Sequence, residues 1–328
     1  MTQIVFLEVD AEDRTLVASE FPDAVIFEGP KHDQELIEAC KDAEIVSCFI
    51  HSPFPENVLS KLPKLQLLCT RSVGYDHIDY AACKKRGVTV CNVPDYGSHV
   101  IAEHVFALIL STLRHIPEAD KKVESGVFDY HGLRGIALRG KTLGIVGTGK
   151  IGRVAAEIAH GFGMKILAAD QCRTVDIVEK LGVTYVSMDE LLRSSDIVTL
   201  HVPETKETNH LINAAAFELM KNGAVLVNTA RGGLIDSEAL LTALKSGKLA
   251  YALLDVLEHE TNFERSKELV AHPNVVATPH IAFYADDSMK NMYADSFKAI
   301  HQHLEGKVPD HTVRTLVVVC DMPAVKAL

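Results

Sequence analysis

No two of the seven cysteines are spaced C-x-x-C. Cys40, Cys48, Cys69, Cys83, Cys91, Cys172 and Cys320 are odd in number and scattered, several inside apolar runs such as QLLCT. That pattern argues against a disulfide framework and against a zinc site; no metal is expected, and the thiols read as reduced and buried in a cytoplasmic protein. Positive charge is also scarce. With 33 Lys and Arg against 44 Asp and Glu, a formal net charge of −11 and no basic run, the electrostatic footprint of a nucleic-acid-binding protein is missing. No apolar run reaches the roughly 18 residues that a membrane helix requires. The opening MTQIVFLEVDAEDR has no basic stretch and turns acidic at once, so a secretory signal is not expected. Disorder is excluded by composition, which at 47 % hydrophobic and 23 % charged residues is globular. A chain of 328 residues exceeds one ordinary core and predicts two domains.

Glycine is sparse in the first hundred residues, and no phosphate-binding fingerprint follows the first strand-like run. Gln3–Val9, Ala24–Phe27, Glu44–Ile50, Leu65–Arg71 and Val88–Val93 read as strands, with short helices at Asp33–Lys41 and Pro55–Leu62 between them. That alternation predicts a parallel sheet covered by helices, without a nucleotide, and hence a candidate substrate domain. A helical stretch follows from Ser98 to about Val123, apolar nearly all round in its first half, with Pro117 expected to kink or end it.

What is present next is GIVGTGKIGRVAAEIAHGFGMKILAAD, Gly144–Asp170. Gly147, Gly149 and Gly152 form G-x-G-x-x-G between an apolar strand and a helix with one apolar face. Those glycines permit a tight turn, close approach of a pyrophosphate and close helix–strand packing, and the helix start offers amides and a positive dipole end to phosphates. The next strand ends at Asp170, 18 positions beyond Gly152. A carboxylate there accepts hydrogen bonds from ribose hydroxyls and repels a 2′-phosphate, favouring NAD over NADP, although nearby Arg173 could bind that phosphate. Strands are predicted at Thr142–Val146, Lys165–Ala169, Ile197–Val202, Ala224–Asn228, Tyr251–Asp255 and Val275–Ala277. The helices are placed at Ile151–Gly161, Met188–Ser194, Asn213–Lys221 and Ser237–Lys245. Six strands with crossover helices make a doubly wound dinucleotide fold. A last amphipathic helix is expected over Asp286–Leu304, with Met289, Met292, Tyr293, Phe297 and Ile300 on one stripe; His311–Leu328 carries no interpretable pattern.

Chemistry in such a fold belongs at the carboxyl ends of the strands. NTARGGLID presents Arg231 there, LDVLEHE presents Asp255, Glu258 and Glu260, and VVATPHIAFY presents His280, Phe283 and Tyr284. Together with GTGKIG, LHVP, TRSVGYDHID and NVPDYGSHVIAEH, these motifs cover nearly the whole chain. The set resembles the D-isomer-specific 2-hydroxyacid dehydrogenase family, and TRSVGYDHID, Tyr96 and HIAFY look most like its D-lactate dehydrogenase branch.

The resemblance implies two doubly wound domains: a flavodoxin-like substrate domain of residues 1–98 and 286–328, and an inserted NAD-binding Rossmann domain of residues 99–285, with the active site in the cleft between them. It implies Arg231, Glu260 and His280 as the catalytic set. Residue chemistry agrees. Reduction of a 2-keto acid needs a proton donor near neutrality, which His280 can be. A carboxylate beside it, Glu260, favours the imidazolium, and Arg231 offers a planar fork for a carboxylate and a polarised carbonyl. By resemblance the amides of Val73 and Gly74 hold the substrate carboxylate, and Tyr96 and Phe283 line the pocket. Also by resemblance, the cofactor meets Lys150, Ile151, Val202, Pro203, Thr208, Thr229, Ala230, Arg231 and Asp255, the last near the nicotinamide amide. The family usually follows this Glu with Pro, whereas Thr261 stands here, and Glu258 competes for the role.

His77 and His104 are explained by helix packing or interdomain hydrogen bonds, His51 could border the substrate pocket, and Asp76 and Asp79 read as helix caps. The expected activity is NAD-dependent reduction of a small 2-keto acid, pyruvate to D-lactate first, by a homodimer. Glyoxylate, hydroxypyruvate and branched-chain 2-keto acids are the alternatives. Phosphoglycerate oxidation is disfavoured by the lack of an appended regulatory domain, and formate oxidation because its enzymes carry Gln where Glu260 stands. An NAD-sensing corepressor-like protein is the reading from another class.

Overall fold

The structure, a computed structural model, describes residues 2–260 and 262–313; Cys320 and most of the C-terminal tail lie outside them. The chain divides into two compact units, one of Met1–Gly97 with the segment that begins at Ala285, the other of Ser98–Tyr284.

The first unit is a five-stranded parallel sheet of β1 (Ile4–Phe6), β2 (Val25–Ile26), β3 (Ile45–Cys48), β4 (Leu67–Thr70) and β5 (Thr89–Cys91) in the order β2-β1-β3-β4-β5. That is the flavodoxin-like winding. Helices α1 (Arg14–Glu20), α2 (Asp33–Cys40), α3 (Glu56–Leu59) and α4 (Tyr80–Arg86) form the crossovers. Asp79 caps α4 by accepting from the Ala82 amide at 2.9 Å, while Asp76 lies in the turn ahead of it. Every residue of β1, β3 and β4 is buried, as expected of parallel strands covered on both faces. Cys40, Cys48, Cys69, Cys83 and Cys91 are free and buried in this unit.

The second unit opens with α5 (Ser98–Leu113) and α6 (Ile116–Glu124). A helical stretch from Ser98 to about Val123, kinked or ended at Pro117, was the expectation; the structure has the kink, two residues earlier. The pair bends by 55°, and the break lies at His115, which has a φ of 53°. Pro117 sits in the first turn of α6, where its missing N–H has no intrahelical acceptor to lose.

Seven parallel strands follow: β6 (Thr142–Val146), β7 (Lys165–Ala169), β8 (Thr184–Tyr185), β9 (Ile197–Leu200), β10 (Ala224–Asn228), β11 (Leu249–Leu254) and β12 (Val275–Ala277). Their order is β12-β11-β10-β9-β6-β7-β8, the dinucleotide-binding winding with one strand added at the edge. The strand missed from sequence is β8, two residues long at the edge of the sheet. Helices α7 (Lys150–Gly161), α8 (Val175–Leu181), α9 (Met188–Ser194), α10 (Ala214–Leu219), α11 (Ser237–Lys245) and α12 (Lys267–Val270) cover the faces.

Alternation along β10 divides the core. Val225 and Val227 pack on the side of α5 and α7, whereas Ala224 and Leu226 pack with α9, α10 and α11. Small residues Ala155, Ala156 and Ala159 let α7 lie close to the sheet and to α5, where Phe106 and Phe162 stack at 5.6 Å.

The final helix, α13 (Asp286–Leu304), returns to the first unit and buries Met292, Tyr293, Phe297 and Ile300, with Met289 half-buried. Phe297 meets Phe6 edge-on at 6.0 Å, and the fully buried Arg71 lies 5.1 Å from the Tyr293 ring centroid. Arg71 Nη1 donates to Ser47 Oγ at 3.0 Å and Nη2 to the carbonyls of Leu7 and Glu8 at 2.7 and 2.6 Å, while its buried Nε has no hydrogen-bond partner.

Candidate active site

The sheet of the second unit reverses its strand order between β6 and β9, and the glycine turn springs from the end of β6 at that point. Gly147 has a φ of 95°, and a Cβ there would stand 2.7 Å from the His201 carbonyl oxygen. At Gly152 a Cβ would come within 2.0 Å of the Gly147 carbonyl oxygen, whereas at Gly149 it would meet nothing within 4 Å. Two glycines therefore close the turn, and the third leaves open space over the start of α7. Lys150 and Ile151 form the first turn of that helix, and Gly149, its N-cap, offers no side chain to the amides.

Asp170 directly follows β7, with its carboxylate tied to the same turn. Oδ2 accepts from the Thr148 amide at 2.5 Å and the Thr148 hydroxyl at 2.9 Å, and Oδ1 accepts from the Cys172 amide at 2.9 Å. Tyr185, on the unforeseen strand β8, donates to Thr148 Oγ1 at 2.8 Å. Arg173 lies 5.8 Å from the Tyr185 ring centroid, with a buried Nε that has no hydrogen-bond partner.

On the other side of the switch point, His201 follows β9. Burial of its ring holds the pKa down to about 4, so it is neutral, and Nε2 pairs with Thr199 Oγ1 at 3.1 Å. Val202 is buried and Pro203 exposed. The Thr208 hydroxyl donates to the Pro203 carbonyl at 2.7 Å and accepts from the Thr205 amide at 2.8 Å, closing the turn between them.

Arg231, the segment around Glu260 and His280 leave the ends of three neighbouring strands, β10, β11 and β12. Asn228, the fully buried last residue of β10, clamps the turn bearing Arg231. Its Oδ1 accepts from the Ala230 amide at 3.0 Å and its Nδ2 donates to the Arg231 carbonyl at 2.8 Å. Sequence reasoning quoted NTARG without giving Asn228 a task; a buried amide ending an apolar strand was the signal. Arg231 is half-buried, and its Nη1 donates to the Ala230 carbonyl at 2.8 Å. The adjacent Thr229 hydroxyl is buried without a hydrogen-bond partner.

Asp255 is a hub for the next segment. Its fully buried carboxylate accepts from the Thr278 hydroxyl at 2.5 Å and from the Ile281 and Ala282 amides at 2.9 and 2.8 Å, and its carbonyl accepts from the His280 amide at 2.9 Å. His104, on α5, adds Nε2 at 3.2 Å from Thr278 Oγ1 and 3.5 Å from Asp255 Oδ1. Both Thr278 and His104 were passed over as site residues, and the bonds of His104 stay within its own unit. Four ties thus hold His280, whose φ of 55° is a conformation that non-glycine residues adopt only when their surroundings enforce it. Its Nδ1 faces Glu260 Oε2 at 3.2 Å, and its ring meets Phe283 edge-on at 6.3 Å. Glu258 pairs elsewhere, with His210 Nε2 at 2.7 Å. Burial pushes the Glu258 carboxyl up, but bonds from Ser237 and His210 outweigh it and hold it below the usual carboxylate range.

In the first unit, Val73 is exposed and Gly74 half-buried on the loop after β4. Their carbonyls accept from Asn92 Nδ2 at 2.8 Å and Ser72 Oγ at 2.6 Å. Tyr96 is buried, and its carbonyl accepts from Asn291 Nδ2 at 3.4 Å. His77 bonds locally to Thr70 Oγ1 at 3.2 Å, and the His51 amide donates to Glu8 Oε2 at 2.9 Å.

Residues 106–282 match the family model described as "D-isomer specific 2-hydroxyacid dehydrogenase, NAD binding domain". The chain belongs to that family. It is therefore an NAD-dependent oxidoreductase of 2-hydroxyacids. Among its relatives, a glyoxylate reductase of Pyrococcus furiosus is 38 % identical over 295 residues, spanning 87 % of this chain and 86 % of that one. A D-3-phosphoglycerate dehydrogenase of Methanocaldococcus jannaschii is 35 % identical over 95 % of this chain but only 59 % of its own length. The structure of a D-lactate dehydrogenase from Aquifex aeolicus, complexed with NAD and lactic acid, superposes with a TM-score of 0.86 at 37 % identity, covering 93 % of this chain and 96 % of that one.

The residues present fit the dinucleotide that this dehydrogenase family uses. The open space over Gly149, beside helix amides with no side-chain cap, suits a phosphate group, and the Thr229 hydroxyl is buried without a hydrogen-bond partner.

Proposed function

We propose that this dehydrogenase reduces a small 2-keto acid with NADH, glyoxylate and pyruvate being the two candidates. Glyoxylate is favoured by the glyoxylate reductases among its sequence relatives and pyruvate by the D-lactate dehydrogenases among its structural ones. The observation that carries the reading is His280 Nδ1 held 3.2 Å from Glu260 Oε2, a proton donor backed by a carboxylate on the same edge of the sheet as Arg231.

NAD, when bound in its reduced form, supplies the hydride that reaches the carbonyl carbon. The imidazolium of His280 passes its proton to the carbonyl oxygen, so the keto acid, the hydride and one proton become the hydroxy acid. Glu260 orients that ring and places a negative charge beside it. Arg231 polarises the carbonyl and pairs with the substrate carboxylate, and the amides of Val73 and Gly74 hold the same carboxylate. Tyr96 and Phe283 are also assigned to the substrate, and the first unit, which carries Val73, Gly74 and Tyr96, is assigned as the substrate domain. Lys150, Ile151, Val202, Pro203, Thr208, Thr229, Ala230 and Asp255 are assigned to the cofactor, with Asp170 on the adenosine ribose.

The working form is assigned as a homodimer. Helix α6 buries none of its residues, and with the loop after it shows Ile116, Val123, Phe128 and Tyr130, Phe128 being 95 % exposed. An apolar patch of that kind suits a second copy.

The test is NADH and NADPH consumption by the purified protein with glyoxylate, pyruvate, hydroxypyruvate, 2-ketoisocaproate and phenylpyruvate, with chiral analysis of the products. Turnover of glyoxylate or pyruvate, with NADH preferred, is expected. A peak at the bulkier acids would move the substrate, and NADH binding without any turnover would remove the enzymatic reading.

A further inference from the structure

His210 and Glu258 take no part in the chemistry above. They nevertheless join the two segments that carry Arg231 and Glu260. Glu258 is two residues before Glu260, with a side chain 18 % exposed. Its Oε1 is 2.7 Å from His210 Nε2, and its Oε2 accepts from the Ser237 amide at 3.1 Å, with His259 Nε2 3.9 Å away.

His210 holds the other segment. Its backbone has a φ of 50°, and its amide donates at 2.8 Å to the carbonyl of Gly233, in the short 3-10 turn Gly232–Leu234 that follows Arg231. Asn209 Nδ2 donates to the same carbonyl at 3.2 Å. At Gly232 a Cβ would lie 2.1 Å from the carbonyl group of Leu257 and 2.4 Å from the Glu258 amide nitrogen, so the turn rests directly on the backbone of the Glu260 segment. The pair therefore ties the Glu260 segment, which carries Glu258, to the Arg231 segment twice: at Gly233 through His210 and at Ser237 through Glu258.

We infer that His210 and Glu258 are positioning residues that set where the Arg231 turn stands relative to Glu260 and His280. The inference rests on the catalytic roles given to those three residues. Loss of the pair leaves the paired ends of β10 and β11 and the backbone packing at Gly232 to hold the two segments together, and small displacements of catalytic groups cost rate steeply.

The experiment compares Glu258→Ala, Glu258→Gln and His210→Asn with the full-length protein, by amide hydrogen exchange and by steady-state kinetics. Gln keeps an oxygen for the Ser237 amide and an NH2 for a neutral imidazole. Asn tolerates the left-handed backbone at position 210 but is too short to span to Glu258. In the Ala and Asn variants, exchange in residues 231–237 and 255–260 should quicken by roughly tenfold or more while β6 and β7 stay protected. Their kcat/KM for the 2-keto acid should fall roughly ten- to a hundredfold, chiefly in kcat, with NADH affinity kept, and Glu258→Gln should recover most of both. Unchanged exchange in the two segments, faster exchange throughout the unit, or a Gln variant as impaired as Ala would overturn the inference. A wild-type protein that turns over no keto acid would sink the catalytic reading alone, because the exchange pattern still decides whether the pair couples the two segments.

Discussion

A carboxylate 3.2 Å from an imidazole nitrogen both orients the ring and sets a negative charge beside it. Glu260→Gln keeps a side-chain oxygen for that nitrogen but removes the charge, so kcat for reduction should fall by roughly tenfold or more with NADH affinity kept. Steady-state kinetics with a fluorescence titration of NADH check this, and an unchanged kcat would remove Glu260 from proton transfer. The same scale shows why single residues here have double tasks. Asp255 ties Thr278, Ile281 and Ala282 together, and Asn228 fixes both Ala230 and Arg231. Side chains that do no chemistry hold those that do, which is what a site accurate to fractions of an ångström requires.

At the scale of elements, the β6–turn–α7 unit separates packing from ligand binding within one motif. Gly152→Ala places a methyl 2.0 Å from the Gly147 carbonyl oxygen. The turn must shift, and thermal stability should fall with NADH affinity, the latter by roughly tenfold or more. Gly149→Ala meets no protein atom within 4 Å, so it should leave the melting temperature in place and weaken NADH only. Calorimetry with a fluorescence titration of NADH reads both. Equal loss of stability in the two variants would contradict the division of labour among the glycines. The bend between α5 and α6 follows the same logic of local rules yielding to context. Pro117 was expected to kink or end the stretch; its ring fits the first turn of α6, and His115 just before it absorbs the change of direction.

At the scale of the whole molecule, the exposed apolar residues of α6 and the following loop bear on assembly. Phe128→Asp puts a charge at the most exposed aromatic position of that face. If two copies meet there, light scattering should show the mass falling from a dimer toward the 35.9 kDa of one chain, since a buried aromatic anchor is commonly worth about 2 kcal/mol or more. A dimer unchanged by Phe128→Asp would locate the interface elsewhere, and a monomeric wild type would end the proposal.

Much was determined by the sequence alone. Apolar runs of four to six residues separated by helical stretches mark parallel strands buried on both faces, and the glycine spacing with Asp170 marks the dinucleotide turn, because both patterns are local consequences of backbone geometry. NTARG, LDVLEHE and TPHIAFY pointed to Arg231, Glu260 and His280 through their resemblance to the family's motifs, with Glu258 left competing for the role of Glu260. Tertiary structure decided what spacing cannot carry. It brought Glu260 rather than Glu258 to His280, joined Glu258 to His210 across 48 residues, and set His104 beside Thr278 across 174. It also added β8, too short at two residues to leave a periodicity. Those pairings depend on how strand ends far apart in the chain converge on one edge of a sheet, and no window of sequence contains that information.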